Sequence, residues 1–214
     1  LGLARQIPLE DKLTREGSWG TTIGVGLKGK TLGLVGLGHI GSLVARVGKA
    51  FDMNLIGWSQ NMTAELAASC GATLVDKDTL FRDSDIVTIH LRLSGRTRGL
   101  VGAHELGLMK STAYMINISR GPIIDEAALI DVLQRKAIGG AGLDTFDVEP
   151  LPKDHPFLKL SNTVIAPHQG YVTEEGYRTF YAGVVEDING LASGEPIRVI
   201  NPDVLKSPQL RRLT

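Results

Sequence analysis

The chain has 214 residues, of which 43% are hydrophobic and 26 are glycine, a composition typical of a globular α/β protein with many tight turns. Lysine plus arginine and aspartate plus glutamate number 23 each, and because no basic stripe is present we expect no nucleic-acid partner. The single cysteine excludes an internal disulfide and favours a reducing compartment, so we expect a cytoplasmic protein. No apolar run reaches the length of a membrane span, so we expect no membrane contact.

Three stretches of the chain have the features of helices. Residues 3–7, ahead of Pro8, are typical of the end of a helix that began earlier. The clearest helix is predicted over residues 126–136, with Asp125 placed to cap its first turn. A longer helix is predicted from about residue 174 to 191, with Thr173 as its N-cap.

Seven short apolar runs, several with Val or Ile on consecutive positions, predict strands that are buried on both faces. The runs are residues 31–35, 54–58, 72–75, 86–89, 114–118, 138–143 and 163–166. Because helical segments alternate with these strands, the pattern predicts an α/β fold of the Rossmann type. Its doubly wound parallel sheet should have helices on both faces.

A glycine-rich turn with the sequence Gly-Leu-Gly-His-Ile-Gly joins the first predicted strand to a helical segment. Gly36 allows the tight turn, Gly38 lets the backbone approach a pyrophosphate, and Gly41 lets the helix and strand pack closely. The helix N-terminus at His39 and Ile40 would offer free N–H groups to the phosphates. This strand–turn–helix context predicts a dinucleotide site, although the glycines could also form a purely structural turn.

The end of the second predicted strand normally carries an acidic residue that bonds the ribose hydroxyls of NAD. Here the strand is followed by Ser59, Gln60 and Asn61, so no carboxylate would repel a 2′-phosphate and no arginine would pair with one. Ser59 could hydrogen-bond either cofactor, whereas Gln60 and Asn61 could equally form a solvated turn. The sequence therefore leaves the choice between NAD and NADP open.

Polar side chains follow three of the later strands, at the points where those strands end. Because the carboxyl ends of parallel strands meet at one edge of a sheet, we expect Arg120, Glu149 and His168 to surround one crevice beside the glycine turn. Arg120 can hold a substrate carboxylate, and His168 can exchange a proton with the carbonyl oxygen. Glu149 can bond the other ring nitrogen, which fixes the tautomer and favours the charged imidazole.

The same strand exits carry two residues that are expected to contact a cofactor, namely Ile118 and Asp144, whose carboxylate could bond the nicotinamide carboxamide. Each polar residue also has an ordinary role open to it: Arg120 could pair with Asp125, for example, and Asp144 could form a turn. Their combination at strand exits beside a dinucleotide turn nevertheless indicates hydride exchange between a nicotinamide cofactor and a 2-oxo or 2-hydroxy acid.

These motifs resemble the cofactor domain of the D-isomer-specific 2-hydroxyacid dehydrogenases. The resembling stretches are residues 36–41, 91–101, 117–121, 125–129, 142–150 and 167–170, and the likeness extends from about residue 1 to 202. The resemblance implies that Arg120, Glu149 and His168 are catalytic and that Asp144 contacts the nicotinamide. It also implies NAD or NADP as cofactor, a small 2-oxo or 2-hydroxy acid as substrate and a homodimer, and we expect no metal site.

The resemblance further implies three segments. Residues 1–26 would form an interdomain and dimer-contact segment, residues 27–173 the dinucleotide-binding domain, and residues 174–214 a C-terminal helix and tail that return toward a substrate domain. Family members carry that domain before the segment seen here, so we expect this stretch by itself to bind cofactor but to reduce little. The alternative is a non-catalytic NAD-sensing or dimerising scaffold protein of the same fold.

Overall fold

The computed structural model describes residues 1–207 and contains two compact units. The first unit, Leu1–His168, contains the β-sheet and the helices that cover it. The second unit begins at Gln169 and contains the last long helix. The residues predicted to bind a cofactor or to act in catalysis all lie in the first unit.

The strands and helices alternate along most of the chain. The strands are β1 (Thr31–Val35), β2 (Asn54–Trp58), β3 (Thr73–Leu74), β4 (Ile86–Ile89), β5 (Tyr114–Asn117), β6 (Gly140–Leu143) and β7 (Thr163–Ile165). The helices are α1 (Ile7–Arg15), α2 (His39–Ala50), α3 (Ala64–Ser69), α4 (Lys77–Asp83), α5 (Ala103–Leu108), α6 (Glu126–Gln134) and α7 (Glu174–Ala192). Short 3₁₀ helices lie at Gly121–Ile123, Pro156–Lys159 and Pro202–Lys206.

All seven strands pair in parallel, in the order β3-β2-β1-β4-β5-β6-β7. The chain returns to the middle of the sheet between β3 and β4, so the direction of winding reverses between β1 and β4. In open parallel sheets, ligands bind beyond the carboxyl ends of the strands at such a reversal. The predicted Rossmann-type fold is confirmed, and its ligand edge lies at the ends of β1 and β4.

Helices cover both faces of the sheet, as the alternation of side chains along β1 makes clear. Leu34 is fully buried in an apolar cluster with Ala45 of α2 and Ala67 of α3. The next residue, Val35, is fully buried on the opposite face, in the cluster that contains Phe81 of α4. Because successive strand residues point to opposite faces, one strand contributes to both halves of the core.

Side-chain caps explain where several helices begin. Asp125 accepts a hydrogen bond from the Ala128 N–H at the start of α6, and Thr173 accepts one from the Gly176 N–H at the start of α7. Each cap satisfies a backbone donor that has no partner inside its helix. Both predicted caps are confirmed, and α6 and α7 begin where the sequence analysis expected.

The remaining differences from the sequence analysis have local causes. The helical turn expected to end within residues 3–7 is present: the Arg5 N–H donates to the Leu1 carbonyl oxygen and the Ile7 N–H to the Gly2 carbonyl oxygen, both at 2.9 Å, and Gln6 ends the turn with a φ of 52°. The sequence did not predict α1, which begins directly afterwards at Ile7 with Pro8 in its first turn, where the missing N–H is not needed. The strand expected over residues 72–75 keeps only Thr73 and Leu74 because it pairs at the sheet edge with β2 alone. The strand expected over residues 138–143 begins at Gly140, whose φ of 158° marks the end of the preceding turn.

The second unit contains α7 and the turn that follows this helix. Arg198 donates to Asp187 at 2.9 Å and to Glu186 at 2.8 Å, which holds the turn against the end of α7. The last part of the predicted C-terminal segment, residues 208–214, lies outside the described residues. Within residues 1–207, none of the helices has both the length and the apolarity to cross a membrane, and no cluster of His, Cys, Asp or Glu could hold a metal ion.

Candidate functional site

The glycine turn connects β1 to α2 at the ligand edge of the sheet. Gly36 adopts a φ of 101°, which residues with a side chain rarely adopt, and this conformation turns the chain from strand to helix. A Cβ atom at Gly41 would lie 2.1 Å from the Gly36 carbonyl oxygen, so α2 can approach the turn this closely only with a glycine there. A Cβ atom at Gly38 would meet nothing within 4 Å, so space is open beside the first N–H groups of α2. This open space at a helix N-terminus fits the pyrophosphate of a dinucleotide.

A cleft of about 410 Å³ extends from this turn along the carboxyl edge of the sheet. Gly38, His39 and Ile40 line one end of the cleft, and Ile118 and Arg120 line the other. The structure therefore brings together predicted cofactor-binding residues from two separate strand exits. A nicotinamide dinucleotide is elongated, and a cleft lined both by the glycine turn and by Arg120 suits a molecule of that shape.

The loop that carries Arg120 is held in place by the side chain of Asn117, which is 1% exposed. Its amide nitrogen donates to the Arg120 carbonyl oxygen at 2.9 Å, and its amide oxygen accepts from the Ser119 N–H at 3.0 Å. Ser119 also donates its hydroxyl to the Leu91 carbonyl oxygen, on the loop after β4. The Arg120 guanidinium is exposed and donates to the Ser119 carbonyl oxygen at 2.6 Å. Asp125, the ion-pair partner that the sequence offered for Arg120, caps α6 instead.

Glu149 and His168 come from the exits of β6 and β7 and meet at this edge. Glu149 Oε2 lies 2.6 Å from His168 Nδ1, while Glu149 Oε1 accepts from the Phe146 N–H at 2.9 Å. Burial acts to raise the pKa of Glu149, but the hydrogen bonds from His168 and Phe146 and the charges of His168 and Arg120 outweigh it and hold this pKa below its ordinary value. His168 has a φ of 53°, an uncommon conformation for a residue with a side chain, and such residues are often found at functional sites.

Asp144 lies directly after β6 and is 7% exposed. Its backbone N–H donates to the Asn117 carbonyl oxygen at 3.0 Å, so the exits of β5 and β6 are joined next to the loop of Arg120. Ser59, the last predicted cofactor contact, follows β2 on the other side of the glycine turn. There it lines a separate pocket of about 140 Å³ together with Gln60 and Asn61.

Two residues that shape this site were given no role in the sequence analysis. Asn117, the last residue of β5, positions the Arg120 loop, and an amide at the end of an otherwise apolar strand could have indicated such a role. His90 follows β4, lines the cleft, and places its Nε2 3.1 Å from the Thr88 hydroxyl. Burial lowers the pKa of His90 to about 4, so its imidazole is neutral at pH 7. No periodicity in the sequence distinguishes it from an ordinary strand-end histidine.

Residues 1–170 match the model of one protein family, described as the NAD-binding domain of the D-isomer-specific 2-hydroxyacid dehydrogenases. The chain belongs to this family. The match contains the glycine turn together with Arg120, Glu149 and His168, so the resemblance inferred from the motifs is confirmed. The chain is accordingly a member that contains the family's dinucleotide-binding domain, with NAD or NADP as the cofactor.

Individual dehydrogenases of the family support this assignment. The chain is 39% identical to a glyoxylate reductase of Aeropyrum pernix, over 98% of this chain and 65% of the relative. A crystal structure from Ralstonia solanacearum, provisionally named a D-3-phosphoglycerate dehydrogenase, superimposes with a TM-score of 0.91 at 34% identity, covering 98% of this chain and 65% of that one. An acyclic imino acid reductase solved with NADPH and D-Arg has a TM-score of 0.78 at 31% identity, with 94% of this chain and 64% of that one covered. The chain therefore spans about two thirds of the length of these relatives.

Proposed function

We propose that the polypeptide carrying this chain transfers a hydride between NAD(P)H and a small 2-oxo acid, which gives a D-2-hydroxy acid. The observation that carries this proposal is the 2.6 Å contact between Glu149 Oε2 and His168 Nδ1, with the charge of Arg120 acting on the same carboxylate. An acid–base pair and a guanidinium beside a dinucleotide cleft are the groups that reduction of a 2-oxo acid requires. The bound cofactor supplies the hydride.

The side chains divide the remaining tasks. Arg120 binds the carboxylate or carbonyl oxygen of the substrate with its planar fork, and the Asn117 hydrogen bonds keep its loop in place. Glu149 engages Nδ1 of His168, so in this proposal the imidazole gives its proton to the carbonyl oxygen through Nε2. Asp144 bonds the nicotinamide carboxamide and holds the ring in register.

We further propose that α7 docks against a substrate domain, since related glyoxylate reductases are longer than this chain. Tyr177, Tyr181, Val184 and Ile188 recur at helical spacing and are between 45% and 64% exposed. An apolar stripe of this kind on a helix is typical of a contact surface. Such a domain would close over the cleft and exclude water during transfer.

A homodimer that forms through residues 1–26 is also proposed. Trp19 is 87% exposed and Ile23 is 97% exposed, which is unusual for large apolar side chains and supports a contact in this segment. Sedimentation of the chain should give twice the mass of one copy, and a monomer at micromolar concentration would contradict the proposal. A cytoplasmic location is proposed as well, because free Cys70 suits a reducing compartment, and cell fractionation tests it.

The proposed reaction is tested by the oxidation of NADH and NADPH with a panel of 2-oxo acids, on the complete polypeptide that carries this chain. We expect turnover with the parent protein and its loss in His168→Ala, with cofactor affinity nearly unchanged. The matched control is His104→Ala, since His104 also pairs with a carboxylate, that of Asp78 at 3.2 Å, but lies on α5 outside the site. Cofactor binding without any oxidation would contradict the proposal and favour a non-catalytic scaffold. Equal turnover by His168→Ala would remove His168 from proton transfer.

A further inference from the structure

A second pocket lies beyond the glycine turn, between the end of β2 and the loop that follows β4. Its volume is about 140 Å³, and Trp58, Ser59 and Gln60 line the β2 side. Arg96 and Thr97 line the side of the loop after β4. The residues after β2 contact the adenosine ribose in dinucleotide-binding folds of this kind, so the pocket lies where the ribose 2′ position is expected.

The backbone around Arg96 is held in a compact turn. The hydroxyl of Thr97 accepts a hydrogen bond from the Ser94 N–H at 2.8 Å and donates one to the Arg92 carbonyl oxygen at 2.7 Å. The N–H groups of Thr97 and Arg98 both donate to the Ser94 carbonyl oxygen, at 3.1 and 3.0 Å. These contacts hold the backbone of Arg96 in place. Arg96 and Ser59 line the same pocket from two different loops.

The charge of this pocket is positive. Arg96 is exposed, and within residues 1–207 it has no hydrogen bond or ion pair with another side chain or backbone group. No carboxylate is present among the residues that line the pocket in the described part of the chain. The nearby ammonium of Lys77 lies 5.9 Å from the centre of the Trp58 ring and is already paired with Glu105 at 2.6 Å. Arg96 is therefore the cation available to an anion bound here.

From this arrangement we infer that Arg96 makes the chain select NADP(H) over NAD(H). Its guanidinium binds the 2′-phosphate in a charge-assisted contact, and Ser59 and Gln60 add neutral donors from the other wall. The end of β2 lacks an arginine, and the loop after β4 supplies one from the opposite side of the same pocket. The inference rests on the proposed function only in assuming that a nicotinamide dinucleotide occupies the cleft.

The test is direct binding of NADPH and NADH to the 214-residue chain by titration calorimetry. Adenosine 2′,5′-bisphosphate and adenosine 5′-monophosphate serve as smaller probes of the same pocket. We expect NADPH to bind about tenfold or more tightly than NADH. Arg96→Gln, of similar length but without charge, should raise the Kd for NADPH and for the bisphosphate by about tenfold or more and change the Kd for NADH less than about twofold. Arg98→Gln is the matched control and should leave all four affinities unchanged.

A second variant tests the pocket from its other wall. Ser59→Asp places a carboxylate where the sequence has none, and it should reverse the preference toward NADH by repelling the 2′-phosphate. Equal affinity of the parent chain for both dinucleotides, or an undiminished NADPH preference in Arg96→Gln, would overturn the inference while leaving dinucleotide binding intact. Failure of the proposed reaction would look different. Selective NADPH binding without any turnover of 2-oxo acids would contradict the proposed reaction but would still support the role of Arg96.

Discussion

Two substitutions in the glycine turn separate its structural role from its binding role. A Cβ atom at Gly41 would lie 2.1 Å from the Gly36 carbonyl oxygen and 3.0 Å from its carbonyl carbon. Carbon–oxygen contacts rarely fall below about 3.3 Å, so Gly41→Ala creates an overlap of about 1 Å with backbone atoms that cannot rotate away. Overpacking of this kind destabilises by about 1–3 kcal/mol, whereas alanine gains up to about 1 kcal/mol in helix propensity. We expect a net loss of about 1–2 kcal/mol in the free energy of unfolding.

Gly38→Ser is the matched variant in the same turn. Gly38 has a φ of −70° and is the N-cap of α2, where serine is a preferred residue, and its Cβ would meet nothing within 4 Å. The free energy of unfolding should therefore stay within about 0.5 kcal/mol of the parent value or rise. The new side chain occupies the space beside the helix N-terminus, so the affinity for NADPH should fall about tenfold or more.

Urea denaturation and NADPH titration of both variants measure these effects. Gly41→Ala is expected to lower the denaturation midpoint, and Gly38→Ser is expected to weaken binding without doing so. An unchanged midpoint in Gly41→Ala would refute the packing argument for α2. Parental NADPH affinity in Gly38→Ser would refute the placement of the pyrophosphate at this turn.

The remaining predictions concern the acid–base groups. Glu149→Gln should lower kcat for 2-oxo acid reduction more than it changes KM, because the His168 ring loses the carboxylate that holds its Nδ1 at 2.6 Å; an unchanged kcat would argue against a working contact. In the parent protein the pKa of Glu149 is held below its ordinary value, so the carboxylate should keep its charge, and the pair should stay intact, as the pH falls through the range in which ordinary glutamates protonate. The pKa of His90 is lowered to about 4 by burial, so the unfolded chain binds a proton that the folded chain does not between about pH 6.5 and 4. The free energy of unfolding should fall by about 2–3 kcal/mol over that range. His90→Gln should lose less stability in urea denaturation across the same pH values, and equal losses would contradict the burial of the ring.

The features that could be predicted from the sequence are those set by neighbouring residues, such as apolar runs and the turns that flank them. The strands at 31–35, 54–58 and 86–89 have the predicted bounds, because apolar runs flanked by turns leave little choice of register. Because parallel strands end at one edge of a sheet, the sequence was enough to predict that the residues following β5, β6 and β7 lie near one another. The contact between Glu149 and His168 follows from that rule.

The features that the sequence could not predict depend on distant partners. Arg96 and Ser59 lie far apart in the chain, and only the packing of the loop after β4 against the end of β2 brings them to one pocket. The start of α1 was not predicted because a proline is compatible both with the end of one helix and with the first turn of the next, and here one turn ends at Gln6 directly before α1 begins. The polar residue at the end of β5 was visible in the sequence, but the partners of the Asn117 side chain depend on the path of the following loop, which no spacing specifies.

A crystal structure of the chain with NADPH bound would show whether Arg120, Glu149 and His168 surround the nicotinamide. The pyrophosphate should lie at the N-terminus of α2 beside Gly38, and the 2′-phosphate within hydrogen-bond distance of Arg96. The nicotinamide ring should lie between Asp144 and the group formed by Arg120, Glu149 and His168. A dinucleotide bound elsewhere, or a nicotinamide that faces away from these side chains, would contradict this arrangement.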